Sequence, residues 1–194
     1  MQVLNLDPNL SEYEMLENKY NEKHRAYHNL THIKDCLNHL DEYNQNLEDK
    51  HEIELAIFYH DVIYNPYRKD NEPKSADLAI LFLNNQKVEH TIISKIEALI
   101  IATIHQKSPE TRSQAIIMDI DIATLGSEPS VYLEYSQNIR KEYSWVPMIL
   151  YKRKRKEILN NFLKRERLYY TDYFFHKFET QARINLQGEI NRLM

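Results

Sequence analysis

The chain has 194 residues, 42% of them hydrophobic, and a formal net charge of −4. That length suits a single domain with a core of its own, and the acidic balance speaks against duplex nucleic acid as the main partner. The single cysteine excludes an internal disulfide framework, and no basic-apolar leader or ~20-residue apolar run is present, so a cytoplasmic protein with no membrane partner is expected.

Two glycines in the whole chain leave few positions for φ > 0, so tight hairpins are disfavoured and helices become the default. In chain order, helices are expected over about 10–21, 29–44 and 51–64. The next begins after Asn71-Glu72-Pro73, with Leu78, Ile80, Leu81 and Leu83 marking it and Pro73 suiting a first helical turn. Ile92, Ile93, Ile96, Leu99, Ile100 and Thr103 then trace one face at the 3.6-residue period. Further helices are expected over 114–125, 129–143, 148–166 and 176–193. Asp7-Pro8 and Ser108-Pro109 read as loops, and Gly126 as a glycine cap closing a helix. No segment alternates polar and apolar residues over any length. The expectation is an all-α fold, a single multi-helix domain over 1–194, with a core at about 20–126 and C-terminal helices at about 129–193 packing on it.

Chemistry concentrates in three short stretches. His60-Asp61 lies inside the apolar run Ile57-Phe58-Tyr59-His60-Asp61-Val62-Ile63-Tyr64, where an imidazole and a carboxylate are costly to bury without compensation. A divalent cation compensates both. Upstream, His28 and His32 stand at i and i+4, which on a helix is one face. Downstream comes Asp119-Ile120-Asp121. Three adjacent helices can present His32, His60, Asp61 and Asp121 to one ion with positions left for water. Nitrogen and oxygen ligands without a thiolate suit Mn, Mg, Fe, Co, Ni or Zn alike.

This order of His, His-Asp and Asp on successive helices resembles the HD-domain superfamily of metal-dependent phosphohydrolases. Arg25-Ala26-Tyr27-His28-Asn29-Leu30-Thr31-His32-Ile33, Asn71-Glu72-Pro73-Lys74-Ser75-Ala76, Ile139-Arg140-Lys141-Glu142-Tyr143 and Ala182-Arg183-Ile184-Asn185 look like one branch of small HD phosphohydrolases. The likeness runs over about residues 20–190. It implies an HD-type helical domain with the metal site between central helices. The stretch from Tyr27 to His32 is also similar to a motif of cyclic-nucleotide phosphodiesterases, which implies His32 as metal ligand and His28 as general acid. The candidate catalytic residues are then His28 and Asp61, with Asp61 also a ligand. The family pattern places the last ligand in Asp119-Ile120-Asp121-Ile122. Asp121 fits better by its distance to Gly126, with Asp119 the alternative. Arg25 and Lys74 are candidates for neutralising phosphate charge. Glu72 is a helix-start carboxylate or a pocket residue, and His105 a helix-end histidine or a phosphate contact or second-metal ligand.

The function so implied is hydrolysis of a phosphomonoester or phosphoanhydride, a nucleotide-like substrate, by metal-activated water. The alternatives are a phosphodiesterase, a di-iron oxygenase, and a non-catalytic helical module in which His60 and Asp61 merely share a hydrogen bond. Lys152-Arg153-Lys154-Arg155-Lys156 and Lys164-Arg165-Glu166-Arg167 read as a solvated helix face, or as cations reaching an anionic substrate. His24, His39, His51, His90 and His176 lack partners at informative spacing, and Cys36 reads as a core residue. Tyr27, Tyr59, Tyr64 and Tyr67 lie close to the candidate site in sequence. A homodimer is left open.

Overall fold

The computed structural model describes residues 10–43 and 47–193, and these form helices and turns with no strand among them. The helices are α1 (Leu10–Tyr20), α2 (Leu30–Glu42), α3 (Lys50–Tyr59), α4 (Asn71–Asn85), α5 (His90–Ala102) and α6 (Arg112–Asp121). A 3-10 turn (Ala123–Gly126) follows, then α7 (Pro129–Glu142), α8 (Met148–Leu163) and α9 (Asp172–Arg192). The all-α expectation holds throughout the described residues. The expected loop at Asp7-Pro8 lies outside them. No described helix is long and apolar enough to cross a membrane. By density of internal contacts the chain divides into two units, residues 1–118 and 119–194, with the division inside α6.

In the first unit α3 packs on α2, α4 and α5, and α4 packs on α5. Its Ile53, Ala56, Ile57 and Tyr59 are all buried. A helix with little polar surface belongs inside a layer of helices, which is where α3 sits.

Helix α6 ends at Asp121 where 125 is expected and α9 begins at Asp172 where 176 is expected, and two features at the start of α2 and the end of α3 bear on the site. His28 precedes α2, because Asn29 is its N-cap: the Asn29 side chain accepts from the Thr31 N–H at 2.9 Å. Helix α3 stops at Tyr59 instead of continuing to 64. Continuing it would require the N–H groups of Val62 and Ile63 to bond the carbonyls of Phe58 and Tyr59. The Phe58 carbonyl is taken by the Tyr20 hydroxyl at 2.9 Å, and the Val62 N–H turns to the Tyr59 carbonyl at 3.0 Å. The Ile63 N–H donates to Ser75 Oγ at 3.0 Å. His60 is therefore the C-cap, and Asp61 lies in the turn beyond it.

In the second unit α9 packs on the 3-10 turn, α7 and α8. Tyr169, Phe174 and Phe178 stack on one another with ring centroids 5.8 to 6.4 Å apart. Gly126 is not a left-handed cap, since no glycine here has positive φ. Its role is close approach: a Cβ at Gly126 would stand 2.5 Å from Cβ of Phe178 and 2.7 Å from its carbonyl oxygen. Within the same unit Asn185 Nδ2 donates to the carbonyls of Leu125 and Ser127. Arg183 bonds the carbonyls of Leu163, Arg165 and Glu166 that end α8. The Ala182-to-Asn185 motif thus braces chain ends.

Candidate metal centre

His32 is carried on the first turn of α2, with its ring turned into the first unit by the amphipathic character of that helix, alongside buried Ile33, Cys36 and Leu40. His60 and Asp61 come from the end of α3. The three side chains meet. His32 Nε2 faces His60 Nε2 at 3.2 Å, and Asp61 Oδ2 lies 3.2 Å from His60 Nε2 and 3.8 Å from His32 Nε2. All three residues are buried.

The hydrogen-bond roles in this triangle are constrained. His60 Nδ1 is 2.8 Å from the Ile57 carbonyl, which can only accept, so Nδ1 carries a proton. In a neutral His60 ring, Nε2 then presents a lone pair toward two other acceptor-capable atoms. Either His32 Nε2 carries its proton and donates into the triangle, or a cation takes that place among the three atoms. Metal–ligand bonds of about 2.0–2.2 Å at tetrahedral to octahedral angles separate ligand atoms by roughly 3–3.6 Å. Two of the three edges, at 3.2 Å each, fall in that range, and the His32–Asp61 edge at 3.8 Å lies just beyond it. A buried His/Asp cluster able to hold a metal ion is therefore present, and its donors, imidazole nitrogen and carboxylate oxygen without thiolate, suit a hard or borderline divalent ion.

Burial pushes the Asp61 carboxyl toward higher pKa. The attraction of His60, helped by His28, by the His60 contact and by His32, outweighs it and holds the group well below the ordinary carboxylate range. Asp61 is an anion facing three imidazoles. Cys36 sits behind His32, its Sγ 3.7 Å from Nε2.

His28 borders this cluster from the turn before α2. Its ring stacks on Tyr64 at 4.3 Å and lies edge-on to His32 at 6.1 Å. Tyr27 packs against both His28 and His32, at 5.0 and 4.9 Å. On its far side Tyr64 stacks on His24, at 6.1 Å. A cleft of about 380 Å³, lined by Lys19, Glu22, His24, Tyr64, Asn65 and Tyr67 among others, opens beside Tyr64. His24 Nε2 donates to the Tyr64 carbonyl, 2.8 Å away, so it is tied to the loop after Asp61.

Arg25 departs from the expectation of a phosphate contact. Its side chain is fully buried. It donates to the carbonyls of His28, Asp61 and Val62 and to the Glu22 carboxylate. It joins the turn bearing His28 to the turn bearing Asp61. Lys74 pairs with Asp70 at 3.1 Å. Glu72 is half-buried on the first turn of α4. His105 follows α5 with φ 57. None of these three belongs to the group able to share an ion.

The neighbours that shape the site include residues the sequence reading did not single out. Ser75 Oγ accepts from the Ile63 N–H at 3.0 Å, and Asn71 exchanges two hydrogen bonds with Asn65. Both brace the turn after Asp61. Their only sequence signal was membership of the Asn71-to-Ala76 motif.

In the second unit Asp119 is fully buried and accepts from the N–H groups of Tyr170 and Thr171, at 2.7 Å each, and from Thr171 Oγ1 at 2.8 Å. Those bonds fix the entry to α9. Asp121 is the last residue of α6 and is half-buried. No family model, curated protein or solved structure matches the chain.

Proposed function

We propose that the chain is a metal-dependent phosphohydrolase of the HD-domain kind, releasing phosphate from a small monoester or anhydride such as a nucleotide. The observation that carries this reading is the triangle of His32 Nε2, His60 Nε2 and Asp61 Oδ2, three acceptor-capable atoms held at ion-sharing distances with His28 at its edge. Asp121 is proposed as the fourth ligand. The resemblance places the last ligand within Asp119-Ile120-Asp121-Ile122, and Asp119 is committed to the backbone of Tyr170 and Thr171.

A divalent ion bound there would supply an acidified water as nucleophile and charge neutralisation for the phosphoryl oxygens. The chain's own residues supply the rest. His60, oriented by the Ile57 carbonyl, keeps Nε2 free of its proton for coordination. Asp61, held as an anion, offsets positive charge at the site. His28, outside the ligand triangle, donates a proton to the leaving oxygen. Tyr64 fixes the plane of that imidazole by stacking.

Elemental analysis of the purified protein, followed by a phosphate-release screen over nucleotides with the metal found, tests the proposal. The expected result is near-stoichiometric metal and phosphate release that chelation abolishes. No retained metal, and no phosphate release with any added divalent ion, would overturn it. The diesterase alternative rests on the turn from Tyr27 to His32, and product analysis decides it. A diesterase leaves a monoester, whereas a monoesterase frees inorganic phosphate.

A further inference from the structure

The second unit carries a surface that the hydrolase reading does not use. Between α7 and α8 the chain turns through Trp145, Val146 and Pro147, and α8 opens on Met148, Ile149 and Leu150. Trp145 is 48% exposed, Met148 50%, Ile149 83% and Leu150 45%. Single apolar residues at a surface need no explanation, but a contiguous cluster of large ones marks a contact site. The charge around it is one-sided. From Tyr143 to Lys156 there is no Asp or Glu, and Lys152, Arg153, Lys154 and Lys156 follow the apolar tip directly. Arg155, the remaining cation of that run, is turned inward to Glu189. The run is thus split by the helix. Arg155 is structural and Lys154 pairs with Glu157 at 2.8 Å, while Lys152, Arg153 and Lys156 stand at i+3, i+4 and i+7 from Ile149, on its face of α8.

We propose that the α7–α8 tip docks onto an anionic lipid surface, with Trp145, Met148 and Ile149 entering the headgroup region and Lys152, Arg153 and Lys156 meeting lipid phosphates. Aromatic and aliphatic side chains next to a cluster of lysine and arginine are the two components that interfacial binding combines. A second copy of the chain fits less well, because two such tips would bring like charges together. A nucleic acid would engage the cations and leave Ile149 and Met148 in water. The absence of a spanning helix bears on crossing a bilayer, not on resting against one. The proposal is independent of the hydrolase reading.

Trp145 is the sole tryptophan, so its emission reports on the tip alone. The test is to titrate the full chain with vesicles of phosphatidylcholine, with and without phosphatidylglycerol, following emission and co-sedimentation. Only the anionic vesicles should shift the emission to the blue and carry the protein down, and salt should reverse both. Ile149→Glu, and Lys152→Glu with Arg153→Glu, should each weaken partitioning by about tenfold or more, with unfolding temperatures unchanged. No shift with anionic vesicles overturns the proposal, as does equal binding to neutral ones. A blue shift that appears with protein concentration alone, together with a dimer in solution, reassigns the tip to a second copy and overturns it too. So does competition in which an oligonucleotide releases the protein from vesicles while quenching Trp145.

Discussion

The guanidinium of Arg25 and the backbone carbonyl of Asp61 are joined by a 2.7 Å hydrogen bond, in the buried interior of the first unit and 36 residues apart in sequence. The same guanidinium holds the carbonyls of His28 and Val62, and its plane lies over the rings of Tyr20 and Tyr64, at 5.1 and 5.4 Å. A planar fork is needed to reach carbonyls in two turns at once, which an ammonium cannot do. Arg25 therefore sets the distance between the proposed acid and the ligand pair. Arg25→Lys should destabilise the protein by roughly 2–3 kcal/mol, since buried carbonyls lose a charged donor. It should also weaken metal binding by about 10- to 100-fold, as losses of ligand-orienting partners do. Denaturant unfolding and metal titration measure the two effects. A variant with unchanged metal affinity would reduce Arg25 to a folding role.

Chelation should reveal the ion through stability. An ion that binds only the folded chain, present at 100 times its Kd, stabilises it by about 2.7 kcal/mol. The chelated protein should melt lower, and the original metal should restore the melting temperature. His32→Ala and His60→Ala should lose both the bound metal and the response to chelator. They should remain folded if the site is dedicated to an ion, because each truncation removes one ligand and leaves the apolar packing of α2 and α3 in place. Circular dichroism with and without chelator checks this, and His60→Ala unfolding outright would favour a structural histidine.

Much of this architecture was legible in the sequence because it depends on local rules. Scarce glycine and the 3.6-residue apolar period give an all-helical chain, and the expected helices appear at nearly their expected places. The ends were less legible because long-range partners set them. Helix α3 stops where the Tyr20 hydroxyl takes the Phe58 carbonyl and Ser75 Oγ takes the Ile63 N–H, partners 38 and 12 residues away. Gly126 follows an apolar helix as a cap would, yet the demand for a missing side chain comes from Phe178, 52 positions later in the chain. His32, His60 and Asp61 were legible because burying such groups together needs a reason that local structure does not supply. Arg25 was read as a substrate contact because no local pattern separates an arginine aimed at carbonyls from one aimed at a ligand.

The two aspartates at the end of α6 should separate cleanly. Asp119 receives three hydrogen bonds and is fully buried. Asp119→Ala leaves two backbone N–H groups unpaired at the start of α9, a loss of roughly 3 kcal/mol or more. Metal content should persist in whatever fraction folds. Asp121→Asn should do the reverse, with little change in unfolding free energy and a clear drop in bound metal. Metal retained by Asp121→Asn at wild-type affinity would remove Asp121 from the ligand set.

The second unit should be sensitive to acid through Glu189. Its carboxylate accepts a two-pronged bond from Arg155 at 2.8 and 3.2 Å and a further bond from the Tyr132 hydroxyl. Burial pushes the Glu189 pKa up, but the Arg155 bonds and charge together with Tyr132 outweigh it, and the group ends below its ordinary value. A depressed folded-state pKa means the stabilisation is complete above the unfolded glutamate range and is lost as pH falls through the folded value. On the alkaline side burial raises the Tyr132 and Tyr169 phenols above their ordinary value. Unfolding then releases protons once pH exceeds about 10, so stability declines there as well. Glu189→Gln strands the Arg155 charge and should cost roughly 3–5 kcal/mol at neutral pH. It should also flatten the decline between neutral and acid pH while leaving the alkaline limb in place. Unfolding free energies of both proteins across the pH range test this, and an acid limb of unchanged slope in the variant would assign the acid sensitivity to other carboxylates.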